Sequence, residues 1–194
     1  MAVGGVAVFP ADTTYGLACD PGDKEAVRRL YALKRRRPDK AAAVLFFQPS
    51  LALAAVPELG PRTRDALLGL LPGGVTLLLP NPAQRFPLAC GPHPETLGLR
   101  VPRMPAALAA LGDVSWPVLQ SSANLAGGPD PRRLQDVPER IRDHADLVLD
   151  GGELPGVPST VVDLRAYEDE GRWAIVRQGA TPAQTVAEAL SEVR

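Results

Sequence analysis

Val75-Thr76-Leu77-Leu78-Leu79 constrains the fold more than any other stretch, because it runs without polar alternation between Pro72-Gly73-Gly74 and Pro80. A strand with one face in water alternates apolar and polar side chains, so this run belongs inside a sheet covered on both faces. Helices must supply that cover. Shorter strand signals fall at residues 6–9, 44–47, 97–101, 118–121, 147–149, 160–164 and 173–177. Helical periodicity or caps fall between them, at 23–34, 50–55, 62–71, 105–111 and 138–144. A last helix opens with Thr181 as cap, Pro182 at its first position and Gln184 at its third, and runs to about Val193. The alternation predicts an α/β architecture, a twisted mixed sheet with helices packed around it. A chain of 194 residues, 45% hydrophobic, can bury a substantial core as one domain over 1–194.

Two segments lack such periodicity. Residues 81–95 carry four prolines and predict a long irregular loop, the segment expected to move most and to cover a site. Residues 165–172 carry a run of charge and predict a solvated connection between the last two strands.

Chemistry concentrates where strands end. Pro10 stops the first strand, and Asp12-Thr13-Thr14-Tyr15-Gly16 then places one carboxylate and three hydroxyls within four residues, the composition of a polar pocket wall. Ser121-Ser122-Ala123-Asn124, ahead of Gly127-Gly128-Pro129, exposes small hydroxyl and amide groups that suit an anion. Lys34, Arg35, Arg36, Arg37 and Lys40 crowd five cations around Pro38, which suits polyphosphate or, equally, a solvated basic loop or RNA backbone. Lys34 itself falls on the apolar face of its helix, where snorkelling is the ordinary outcome. Arg100 lies in the apolar run Leu97-Gly98-Leu99-Arg100-Val101, and a buried guanidinium there requires a carboxylate, from the protein or from a ligand.

Composition removes several classes. A net charge of -1 argues against a protein devoted to wrapping nucleic acid. The two cysteines and two histidines lack zinc spacing, so no structural metal is expected. Neither a leader nor an apolar run near about eighteen residues is visible, and a cytoplasmic protein is expected. No G-x-x-x-x-G-K-[ST] or G-x-G-x-x-G loop exists, so any phosphate site must be assembled from separate segments. Ser122 lacks the nucleophile elbow, and a hydrolytic triad is not expected.

The stretch from Pro10 to Leu17 resembles the P-T-D-T-x-Y-G-L signature of the YrdC/Sua5 family, the threonylcarbamoyl-AMP synthases. Further pieces follow in the family's order: the K-x-R element at Lys34 and Arg36, Pro72 to Thr76, Gly98 to Pro102, Ser121 to Gly127, Ser159 to Asp163 and Arg177-Gln178-Gly179. The chain departs from the pattern at Ala11, Met104 and Ala126, and Leu45 stands where some relatives carry histidine. The resemblance implies a single YrdC-like domain with an open cleft that joins L-threonine, bicarbonate and ATP into threonylcarbamoyl-AMP and pyrophosphate, towards t6A modification of tRNA. It implies threonine contacts from Thr14, Arg100 and Ser159, and ATP contacts from Lys34, Arg36, Lys40, Thr96, Ser122, Asn124 and Arg177. It also implies Mg2+ arriving with ATP and a downstream threonylcarbamoyl transferase machinery. An RNA-binding module of the same fold, taking tRNA or double-stranded RNA on the basic cluster without synthesis, is the alternative.

Overall fold

The computed structural model describes residues 4–104 and 106–192. The expected helix start at Pro105 and helix end at Val193 lie outside these residues.

Nine strands form one mixed sheet: β1 (Val6–Pro10), β2 (Tyr15–Cys19), β3 (Ala43–Leu45), β4 (Val75–Pro80), β5 (Thr96–Arg100), β6 (Val118–Ser122), β7 (Leu147–Val148), β8 (Thr160–Asp163) and β9 (Ala174–Arg177). Their spatial order is β7-β1-β2-β6-β3-β5-β4-β8-β9. The run that opened the sequence reading is therefore interior, with β4 antiparallel to β5 on one side and parallel to β8 on the other. Helices α1 (Lys24–Leu33), α2 (Pro49–Ala55), α3 (Pro61–Leu70), α4 (Pro87–Cys90), α5 (Glu139–Arg142), α6 (Tyr167–Glu170) and α7 (Ala183–Ser191) complete the order. Asp23 caps α1 as expected, its Oδ1 accepting from the Glu25 and Ala26 amides at 2.9 and 3.1 Å.

The largest departure from the sequence reading is β2. Tyr15–Cys19 is a fully buried strand paired antiparallel to β1, where a polar loop was expected. Gly16 leaves room for the Gln120 side chain of β6, whose Nε2 would lie 2.6 Å from a methyl group there. The Tyr15 hydroxyl faces away from any cleft, donating to Asp150 Oδ1 and the Gly152 carbonyl, both at 2.8 Å.

Two connections are more ordered than their composition suggests. The 81–95 segment contains α4, and the buried Asn81 amide knits it by donating to the Arg85 and Pro94 carbonyls at 3.0 and 2.8 Å. The 165–172 segment contains α6; Tyr167 is buried and Glu168 Oε2 accepts from both the amide and hydroxyl of Thr63 at 2.8 Å, completing the first turn of α3. Residues Ala106–Asp113 wind as 3-10 turns instead of an α-helix. Thr181 does not cap α7 with its side chain; its hydroxyl donates to the Gly74 carbonyl at 3.3 Å.

The main core lies between the sheet and α1, α3 and α7. A second, smaller cluster of Phe9, Ala11, Ala18, Leu45 and Val118, with Met104 against it, sits beside the end of β1. Two of the three departures from the family pattern, Ala11 and Met104, thus share one apolar cluster with Leu45, while Ala126 lies elsewhere, its amide on the Lys34 carbonyl.

Candidate active site

Ends of β5, β6, β8 and β9 and the turn between β1 and β2 meet around a cavity of about 420 Å³. That volume suits a small-molecule site. Of the residues expected to bind threonine, Thr14, Arg100 and Ser159 all line it. Of those expected to bind ATP, Arg36, Thr96, Ser122 and Arg177 line it, while Lys34, Lys40 and Asn124 do not.

Arg100 is 5% exposed and its guanidinium is already engaged. Nη2 donates to Asp12 Oδ1 at 2.8 Å and Nη1 to Gln120 Oε1 at 3.1 Å, so the required carboxylate is the protein's own. Asp12 Oδ2 accepts from the Arg103 amide at 3.3 Å. Burial pushes the Asp12 carboxyl up against the opposing pull of Arg100, and burial with the nearby Arg177 charge pushes the guanidinium down. Nε of Arg100 has no protein partner. The Arg142 Nε, away from this cavity, is buried without a partner in the same way, so the feature is not particular to the site.

Beside it, Ser159 Oγ lies 2.7 Å from Thr76 Oγ1, and the Ser159 carbonyl accepts from Arg177 Nη2 at 2.9 Å. Gly179 holds this corner open: a Cβ there would run into the Pro158 carbonyl and the Ser159 backbone. Gly179→Ala is expected to lower stability by about 1 to 3 kcal/mol through overpacking, read from a urea unfolding midpoint.

The basic cluster divides between surface and interior: Arg35, Arg37 and Lys40 are exposed, Arg36 is half-buried and Lys34 is buried. Arg36 turns inward over the Tyr31 ring at 5.8 Å, and its Nη2 donates to the Ala41 carbonyl at 2.7 Å. Its Nη1 lies 3.4 Å from Ser121 Oγ, and its Nε, like that of Arg100, is buried without a protein partner. Arg37 pairs with Asp39 at 2.6 Å. Lys34, expected to snorkel, is 1% exposed. Lys40 is exposed outside the cavity, its carbonyl taken by the Tyr31 hydroxyl.

Several cavity residues escaped sequence reasoning. Gln120 and Thr76 looked like ordinary strand residues, and His93 and Cys90 sat in the proline-rich segment. Arg165, braced by Asp163 at 2.6 Å, reaches Thr96 Oγ1 at 3.5 Å. Asp130 is the one carboxylate among the described lining residues. Asp12 was singled out, yet its partner stands 88 positions away and left no local signal.

The cavity thus gathers guanidinium groups and hydroxyls around a space the size of a small polyanion, and known proteins share its framework. The family model for Sua5, YciO and YrdC, described as telomere recombination, matches residues 1–179. A threonylcarbamoyl-AMP synthase of Xanthomonas campestris pv. campestris is 34% identical over 172 residues, covering 85% of this chain and 89% of that protein. The threonylcarbamoyl-AMP synthase of Pyrococcus abyssi is 28% identical over 195 residues, and the match spans 98% of this chain but only 55% of the relative's length. The crystal structure of Pyrococcus abyssi Sua5 complexed with L-threonine superposes with a TM-score of 0.83 at 27% identity, over 98% of this chain and 55% of that one. Carried on the whole length of its sheet and on the motifs that line the cavity, the similarity places this chain in the Sua5/YciO/YrdC family.

Proposed function

We propose that this chain is a nucleotidyltransferase that forms threonylcarbamoyl-AMP and pyrophosphate from L-threonine, bicarbonate and ATP. The observation that carries the reading is the set of guanidinium side chains, Arg36, Arg100 and Arg177, that line one cavity together with the Thr14, Thr76 and Ser159 hydroxyls. Two anionic groups, a carboxylate at Arg100 and a polyphosphate towards Arg36 and Arg177, would satisfy them. Lys34 and Arg36 are withdrawn from the surface and Arg37 is paired with Asp39, which weakens the RNA-binding alternative, whose backbone contacts need cations displayed together.

With the threonine carboxylate on Arg100 and its hydroxyl and amine among Thr14, Thr76 and Ser159, the amine stays free of a strong partner. It condenses with bicarbonate to a carbamate and water; a carbamate oxygen then attacks the α-phosphorus, and pyrophosphate leaves. The protein's part is to orient the reactants and to neutralise phosphoryl charge, which suits a site without a nucleophile and base pair. Among the described residues no group of three or more acidic, histidine or cysteine side chains could cage a metal. A Mg2+ would therefore arrive with the triphosphate of ATP and not in a cage of the protein's own. When bound, that ion supplies further charge neutralisation. No helix among the described residues is long and apolar enough to cross a membrane, and the reading puts the chain in the cytoplasm, where a transferase machinery passes the product to tRNA.

Pyrophosphate release tests the reading by omission. It is expected only when threonine, bicarbonate, ATP and Mg2+ are all present, with serine about ten to a hundred times poorer for want of one methyl group. Full-rate release in carbonate-free buffer would overturn the carbamate chemistry. No release in any mixture, with salt-sensitive RNA binding, would favour the alternative.

A further inference from the structure

We infer that Lys34 is a positioning residue that serves the nucleotide from behind the cavity wall, by holding the Ser122–Asp130 turn, and that it does not touch ATP. The inference deepens the proposed synthase reading and rests on it for the identity of the nucleotide.

An ammonium group has three N–H bonds to give. Lys34 Nζ gives them to the Ser122 carbonyl, to the Asn124 carbonyl at 2.8 Å and to Asn124 Oδ1 at 2.9 Å. None remains for a phosphate. The same Asn124 oxygen accepts from the Ser122 hydroxyl at 2.7 Å, and Asn124 Nδ2 donates to the Gly128 carbonyl at 2.6 Å and faces Asp130 Oδ1 at 3.4 Å. The Lys34 carbonyl adds a fourth tie, accepting from the Ala126 amide at 2.9 Å. Ser122 and Asp130, at the two ends of this turn, line the cavity, whereas Lys34 and Asn124 stand outside it. The end of α1 therefore fixes two lining side chains that it never meets in the cavity itself.

Burial, with the Arg36 charge beside it and partly offset by Asp130 across the turn, pulls the Lys34 ammonium down to about 8. Those two are the charged groups that bear on it. Above that pH the neutral amine has one donor fewer for three acceptors, and the turn loosens. The sign for stability is the opposite. Between about 8 and the unperturbed 10.5 the unfolded chain holds a proton that the folded chain has shed, so Lys34's own contribution to stability rises with pH. A loss of nucleotide affinity above pH 8 is thus separable from unfolding. Tyr31 and Cys90, the nearby groups that could imitate it, are both pushed up by burial from ordinary values of 10.0 and 9.0.

The test joins amide hydrogen exchange on the ligand-free protein to calorimetric titration with MgATP alone, from about pH 7 to 9.5, on wild type and Lys34→Met. Faster exchange across 122–130 in Lys34→Met before any ligand is added is expected. ATP affinity is expected to be about tenfold weaker in the variant and flat with pH, while wild type weakens with a midpoint near 8 without a fall in melting temperature. Unchanged exchange across the turn, or unchanged ATP affinity in Lys34→Met, overturns the inference. A lysine that only stabilised the fold would shift exchange and melting together and leave no affinity limb. If Lys34→Met does not fold, Lys34→Gln takes its place in both measurements. If wild type binds no ATP, the synthase reading fails, and the exchange comparison still decides whether Lys34 holds the turn.

Discussion

Arg100→Leu should cost about 3 to 5 kcal/mol of stability and abolish threonine binding, because it strands the buried Asp12 carboxylate as well as removing the cation a substrate carboxylate would meet. Both members of the pair are nearly sealed from water, with side chains 6% and 8% exposed. Breaking such a pair from one side leaves an uncompensated charge, whereas removing both charges leaves none. The double variant Arg100→Leu, Asp12→Leu should therefore recover most of the lost stability while still failing to bind threonine. Guanidinium chloride unfolding of the three proteins, with threonine titrated into each folded one, separates the two roles. A single variant as stable as wild type would show that Asp12 does not need Arg100. Retained threonine binding in the double variant would remove Arg100 from the substrate site.

Arg36→Ala is expected to weaken ATP binding by about tenfold to a hundredfold, the loss of one charge-assisted contact worth roughly 1.5 to 3 kcal/mol. Its effect on the fold should be smaller, about 0.5 to 1 kcal/mol from the cation–π contact over Tyr31. The side chain is preorganised, held by the Ala41 carbonyl and the Tyr31 ring with Nε unanswered, so little ordering is left for the ligand to bring about. Calorimetry against threonine as well as ATP provides the control. ATP affinity that is unchanged removes Arg36 from the nucleotide site, and equal losses for both ligands would point to a collapsed cavity instead.

The strands rich in β-branched and leucine residues were legible because burial on both faces leaves a periodicity that propensity alone does not. β2 was not. Tyr-Gly-Leu-Ala-Cys carries no β-branched residue, and its strand state comes from pairing between β1 and β6, a tertiary cause. The site was legible where a residue type is costly in its local setting, as for Arg100 in an apolar strand. It was not legible where the answer lay far along the chain. Asp12 and Gln120 divide the Arg100 guanidinium between them, Glu168 completes a helix end at Thr63, and Lys34 spends all its hydrogens on a turn some 88 to 90 residues later. Each of these is a contact that spacing within a window cannot encode. The five-cation cluster shows the converse: adjacent in sequence, its members separate into the core, the cavity and the surface.

The strand order has a kinetic consequence. Three pairs, β1 with β2, β4 with β5 and β8 with β9, join strands that are consecutive in the chain; the ladders of β2 with β6, β6 with β3, β3 with β5, β4 with β8 and β1 with β7 close far longer loops. Thr14, Arg100, Ser122, Ser159 and Arg177 are distributed across those ladders, so no fragment of the chain and no early hairpin contains the cavity. Closing long loops before their contacts form places a chain like this among slow folders, in milliseconds to seconds. It also ties every ligand to the whole molecule: a compound present at a hundred times its dissociation constant should raise the global unfolding free energy by about 2.7 kcal/mol, protecting β7 at one edge of the sheet as much as β9 at the other.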